Sequence, residues 1–202
     1  MITTDIKAKI VRKGRGYVFT PSDFISVGSR AAVDQALSRL AKSGVIRRLA
    51  QGIYDYPKVS PRLGPLSPKP DDVAKAVARK DGQVLSVSPA KAANMLGLTT
   101  QVPAKLVYLT NGPTRSKTFG GQTIYLRNAA AKNLAGVGTP VGLIFQALRY
   151  VGKDGIDTDT LKKLSRHLTA DDLKALLKDS HKAPDWMRPV AKDIARFADM
   201  AA

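Results

Sequence analysis

Ser29-Arg30-Ala31-Ala32-Val33-Asp34-Gln35-Ala36-Leu37-Ser38-Arg39-Leu40-Ala41-Lys42-Ser43-Gly44-Val45-Ile46-Arg47-Arg48-Leu49-Ala50-Gln51-Gly52-Ile53-Tyr54 is the stretch on which the fold turns. Val33, Ala36, Leu37 and Leu40 recur at the i, i+3, i+4, i+7 spacing that gathers apolar side chains on one helix face. Ser29 stands where an N-cap hydroxyl can accept from the first unpaired amides, and Gly44 stops the helix, so the pattern predicts a helix from Arg30 to about Lys42. Val45-Ile46-Arg47-Arg48-Leu49 and Ile53-Tyr54-Asp55-Tyr56 then have the composition of strands, with Ala50-Gln51-Gly52 as the turn of a hairpin.

Toward the N-terminus, Ile6, Ile10 and Val11 share a face of an expected helix from about Thr4 to Lys13, stopped by Gly14 and Gly16. A short apolar run, Tyr17-Val18-Phe19, leads into Thr20-Pro21-Ser22-Asp23, the start signal of a brief second helix that Gly28 breaks. Three helices followed by a two-stranded hairpin is the order of a winged helix-turn-helix. Toward the C-terminus, five prolines fall in the fourteen residues Pro57 to Pro70, each fixing φ and removing a backbone donor, which predicts an extended connector. Alternation and periodicity expect, beyond it, a helix capped by Asp71 and running to Lys80, a strand at Gln83–Ser86 and a Ser88-Pro89 helix to Leu96. A strand at 105–110 and a hairpin around Gly120-Gly121 follow, and then helices at 141–150, 159–167, 170–180 and 189–200. The expected fold class is α+β: a winged helix-turn-helix over residues 1–58, a connector at 59–70, and a domain at 71–202 with a small sheet and an α-helical bundle at its end.

The 202 residues carry 33 Lys and Arg against 16 acidic residues, all of them Asp, for a net charge of +17. Both halves share the excess: +7 up to residue 58 (11 basic, 4 acidic) and +10 after it. Such a surplus favours a polyanionic partner, because each phosphate neutralised releases condensed counterions. The chain has no cysteine, which excludes disulfides, zinc fingers and thiol chemistry. No run of 18 apolar residues and no signal-peptide pattern occurs, so a cytoplasmic protein without a membrane span is expected.

A helix-turn-helix reads DNA with polar side chains opposite the buried face of its recognition helix. Opposite Val33, Ala36, Leu37 and Leu40 lie Arg30, Asp34, Gln35, Ser38 and Arg39, with Ser29 at the cap, where its hydroxyl and the helix N-terminus suit a phosphate. Arg30 and Arg39 match guanine and Gln35 matches adenine through paired hydrogen bonds, while Lys42 suits a phosphate. The hairpin adds Arg47, Arg48 and, at its tip, Gln51; strand alternation puts Arg47 and Arg48 on opposite faces, so one of the two can face DNA.

The run from Val33 to Leu40, with Ser43-Gly44-Val45-Ile46-Arg47-Arg48 and Gly52-Ile53-Tyr54-Asp55, resembles the N-terminal domain of the AbiEi family, antitoxins of type IV toxin-antitoxin systems. The resemblance is clearest over residues 1–58. It implies a DNA-binding autorepressor that recognises inverted repeats in its own promoter, a geometry open to monomers on paired half-sites. It further implies a C-terminal antitoxin domain acting against a nucleotidyltransferase toxin, a role in phage defence by abortive infection, and a place at the bacterial nucleoid.

Other constellations point away from catalysis. His167 and His181 are fourteen residues apart and lack a third ligand at metal-site spacing, and Asp154-Gly155-Ile156-Asp157-Thr158-Asp159 lacks the closing Glu of a calcium loop. Gly112-Pro113-Thr114-Arg115-Ser116-Lys117 is basic and hydroxyl-bearing without the glycine-lysine-serine order of a phosphate-binding loop. No nucleophile is paired with a base, so neither enzyme activity nor a metal or cofactor is expected. The competing expectations are a nucleic-acid-processing protein whose winged domain only tethers a catalytic half, and a basic interaction module that never touches DNA.

Overall fold

A computed structural model describes residues 1–199, in two compact units: residues 1–83 with 116–124, and residues 84–115 with 125–199. Met200, the end of the last expected helix, lies outside the described residues. The architecture is mixed α+β with small sheets, as expected.

In the first unit, helix α1 (Ile2–Lys13) is followed by strand β1 (Val18–Phe19) and the expected brief second helix, which starts at Pro21 after Thr20 and is a single 3-10 turn, Pro21–Phe24. The Thr20 amide donates to Asp23 Oδ2 at 2.8 Å, which fastens that turn at its first residue. Helix α2 (Arg30–Lys42) starts where expected, with Ser29 Oγ accepting from the Ala32 amide at 3.4 Å, and it ends as the Val45 and Ile46 amides fold back onto the Leu40 carbonyl. Strands β2 (Arg47–Ala50) and β3 (Ile53–Asp55) form the hairpin, and Gly52 supplies the positive φ of 70° that its tight turn requires. The sheet order is β1-β3-β2, antiparallel throughout, with a bulge between Arg48 and Ala50.

One face of this sheet closes a core of Ile6, Ile10, Phe19, Phe24, Val33, Leu37 and Tyr54, in which Phe19 meets Phe24 edge-on at 5.4 Å. Removing these side chains from water is the main force holding α1 and α2 together, at about 1.5–3 kcal/mol for each large residue fully buried.

The proline-rich segment is ordered. Strands β4 (Val59–Ser60) and β5 (Gly64–Pro65) pair within it, and its carbonyls accept from arginines of the unit: Pro57 from Arg15 at 2.9 Å and Leu66 from Arg47 at 2.7 Å. Helix α3 (Pro70–Lys80) follows with Lys69 as its N-cap and Pro70 at its first turn, so Asp71 lies inside that turn and is not the cap. Helix α3 packs on β1 and β3, burying Val73, Ala74, Ala76 and Val77. The first unit therefore runs to Gln83, past the boundary expected at 58–70. A helix amphipathic in isolation does not declare which sheet will cover it.

Strand β6 (Leu85–Val87), helix α4 (Pro89–Met95, capped by Ser88) and strand β7 (Leu106–Thr110) open the second unit. Strands β8 (Arg115–Phe119) and β9 (Gln122–Asn128) follow, with residues 116–124 counted in the first unit, and the strand order is β6-β7-β9-β8. Arg115-Ser116-Lys117 thus belongs to a strand and not to a phosphate-cradling loop. Helix α5 (Pro140–Val151) packs on α4 and on α7 (Ala170–Asp179), α8 (Met187–Asp199) packs on α6 (Thr158–Ser165) and α7, and Leu164, Leu176, Met187, Ala191 and Ile194 join them in the second core. Gly142 of α5 faces the Gly136 backbone so closely that a Cβ there would collide with the Gly136 carbonyl. Among the described residues, no helix is long and apolar enough to cross a membrane.

Candidate nucleic-acid interface

The four apolar residues of α2 are buried, with Val33 and Leu37 0% exposed, Ala36 3% and Leu40 5%; Arg30, Asp34, Gln35, Ser38, Arg39 and Lys42 are all exposed. The helix thus presents a largely polar face, in which Ala31 is also exposed. Arg30 Nε donates to Asp34 Oδ2 at 2.9 Å, one turn apart, with both side chains about half exposed. A pair this open contributes little to stability and separates readily for another acceptor. Ser29 is itself exposed beside the helix N-terminus, where unpaired amides favour an anion.

Strand register divides the two hairpin arginines. Arg47 stands opposite Asp55, itself opposite Val18, whereas Arg48 stands opposite Tyr54, itself opposite Phe19. Cross-strand partners share a face, so Arg48 belongs to the face on which α1 and α2 pack and Arg47 to the face covered by α3. Arg48 and the turn residue Gln51 are exposed. Arg47 instead donates through Nε and Nη2 to the two oxygens of Asp55, at 3.1 and 2.7 Å, and through Nη2 to the Leu66 carbonyl. Asp55 is 1% exposed, so this fork compensates a buried carboxylate and raises the Arg47 pKa through the hydrogen bond to Asp55. Arg47 is thereby tied down as a strut on the sheet face opposite Arg48; the other nine expected residues are on the surface.

Sheet direction relates the hairpin turn to α2. Strand β1 runs antiparallel to β3 and therefore toward the Gln51-Gly52 turn. From that end of the sheet the chain passes through the 3-10 turn into α2.

At the other end lies a second basic feature. A cleft of about 570 Å³ is lined by Lys13, Arg15, Lys58, Lys69, Lys75 and Arg79, with Tyr17, Leu66 and Pro68 as its less polar wall. Arg79 donates to both oxygens of Asp23, at 2.6 and 3.0 Å, and to the Val18 carbonyl; the Asp23 hydrogen bond raises its pKa. Burial, reinforced by Asp23, pushes the Tyr17 phenol up. Arg15 lies over the Tyr56 ring at 4.8 Å. None of these cations stood out in the sequence. Arg79 and Asp23 are fifty-six residues apart, and no local pattern announces such a pair.

His167 lines an apolar cavity of about 440 Å³ in the second unit, and His181 lies in a 3-10 turn, Ser180–Lys182. Among the described residues, no group of three His or Asp side chains is placed to share a metal ion.

The fold and surface so far define a basic α+β protein with an exposed polar helix face in its first unit. The chain belongs to DUF6088, a family of unknown function, whose model matches residues 5–176. Among solved structures it is similar to the RV2827C protein from Mycobacterium tuberculosis, at 15% identity and a TM-score of 0.40, over 96% of this chain and 77% of that one. No curated protein matches the chain.

Proposed function

We propose that the first unit is a winged helix-turn-helix that binds duplex DNA, and that the protein is an autorepressor and antitoxin of a type IV toxin-antitoxin system. The observation that carries the DNA-binding reading is α2, with six exposed polar residues set against four buried apolar ones. In this reading α2 is the recognition helix, the β2-β3 hairpin is the wing, Arg48 and Gln51 are its contacts, and Ser29 and Lys42 meet phosphates. The net charge of +17 supports a polyanionic partner and makes binding strongly salt-dependent. The resemblance of residues 1–58 to AbiEi antitoxins supports autoregulation through inverted repeats, a nucleotidyltransferase toxin as the target of the second unit, and action at the bacterial nucleoid.

The test is a gel-shift titration on the DNA upstream of the reading frame, against scrambled DNA, at two salt concentrations. A tight shift confined to the upstream fragment is expected. Arg39→Ala should cost about 1–3 kcal/mol and relax base preference at one position, while Lys42→Ala should weaken all sequences alike. Equal losses for both variants on every sequence would defeat the assignment of α2 as the reading element. Co-expression with the neighbouring gene product tests the antitoxin role, since growth arrest that this chain does not relieve would remove it.

A further inference from the structure

We propose that the cleft between α3 and the β1 end of the first sheet binds a nucleotide-sized ligand carrying two or more phosphate groups, a nucleoside di- or triphosphate, at a site separate from the DNA-facing helix α2.

The cleft's charge is unbalanced in a particular way. Of its six cationic side chains, Arg79 is held by Asp23 and Arg15 is turned onto the Pro57 carbonyl and the Tyr56 ring. Lys13, Lys58, Lys69 and Lys75 make no ion pair among the described residues, and all four are exposed. The acids in the wall are Asp55, already neutralised by Arg47, and Asp72. Four lysines without an ion pair therefore line one concave space with a single unneutralised carboxylate beside them. A phosphate monoester carries about −1.5 to −2 charges, which leaves such a set undersatisfied; two or three linked phosphates match it. The volume of about 570 Å³ falls within the range of small-molecule sites, and Tyr17 and Leu66 give accessible, less polar surface on which a flat base can lie.

Position separates this site from the DNA reading. The lining residues Lys13 to Tyr17 precede β1 and Val18 begins it, and Asp55 and Lys58 are at and beyond the end of β3, so the cleft lies at the opposite end of the sheet from the Gln51-Gly52 turn. Extended backbone from Gly52 to Tyr56 spans roughly 13 Å. Register also assigns Arg47 and Asp55 to the α3 face and Arg48 to the α2 face. The cleft exists whether or not α2 reads DNA.

Isothermal titration of the full-length protein with ATP, pyrophosphate and inorganic phosphate, in EDTA at low salt, tests the proposal. ATP and pyrophosphate are expected to bind saturably at one site per chain, at least tenfold more tightly than inorganic phosphate; tighter binding of ATP than pyrophosphate identifies the base as part of the ligand. Lys58→Gln with Lys75→Gln should weaken ATP at least tenfold, while Arg39→Ala and Arg48→Ala leave it within twofold. Both lysines are exposed, so a thermal melt matching the parent protein is expected of the double variant. Failure of both ATP and pyrophosphate to saturate would overturn the proposal, as would equal weakening by the α2 variants, which would mean attraction to charge anywhere on the surface. Stoichiometric displacement of ATP by short duplex DNA would also overturn it, by making the cleft part of the DNA footprint.

Discussion

In the first unit, Asp23 and Asp55 have side chains only 12% and 1% exposed, and each holds an arginine through two hydrogen bonds; in the second, Asp157 and Asp172 lie at the open ends of helices α6 and α7, accepting from Thr160 and Thr169. In the first unit these two acids fix long-range geometry, Asp23 while also accepting from the Thr20 amide. Arg47 joins β2 to the proline-rich segment, and Arg79 joins α3 to β1 and the 3-10 turn. The second unit has an apolar core that includes α5 and uses acids to satisfy amides that no helix can satisfy for itself. In the first unit, then, some arginines are immobilised as struts, while others and most lysines remain on the surface as a field. A basic protein need not offer every cation to a partner, and burial of the counter-charge shows which ones are withheld.

The comparison breaks most visibly at Arg47. Arg47→Ala leaves the buried Asp55 carboxylate without its fork and should destabilise the first unit by about 3 kcal/mol, read from urea unfolding followed by tyrosine fluorescence. A loss below 1 kcal/mol would mean that Asp55 finds solvent and that the pair is not a strut.

In the second unit the largest single effect should come from packing. Gly142→Ala drives a methyl into the Gly136 backbone, which cannot rotate away as a side chain would. A cost of about 2 kcal/mol is expected, with a lower melting temperature.

Acid sharpens the contrast. The Thr160 amide holds the Asp157 carboxyl below its ordinary 3.8, and the Thr169 hydroxyl does the same for Asp172. Because both folded-state values are depressed, their contribution is fully present above the unfolded value of about 3.8 and is lost as the pH falls through the lower folded values. Circular dichroism should show Asp157→Asn and Asp172→Asn variants with a shallower loss of helix below that pH than the parent protein.

The smallest change in stability belongs to Arg48. Arg48→Ala should move unfolding by less than about 0.5 kcal/mol and yet weaken DNA in the gel shift. Adjacent arginines, one mattering to the fold and the other to the partner, would then be separated by two measurements.

The sequence by itself determined the elements whose causes are local. Ser29, the apolar spacing from Val33 to Leu40 and Gly44 fix α2 at its observed ends, because capping and amphipathic burial act within one or two turns. The hairpin, the Ser88-Pro89 helix and the basic character of the surface were legible for the same reason. Alternation also placed Arg47 and Arg48 on opposite faces. Only the tertiary structure decided which of them is free, because that depends on Asp55 across the sheet and on the Leu66 carbonyl nineteen residues away. It likewise decided that α3 belongs to the first unit and that four lysines from distant segments share one cleft with Arg15 and Arg79. Those outcomes rest on which surfaces meet when apolar faces are buried, and a one-dimensional pattern carries the faces without carrying their partners.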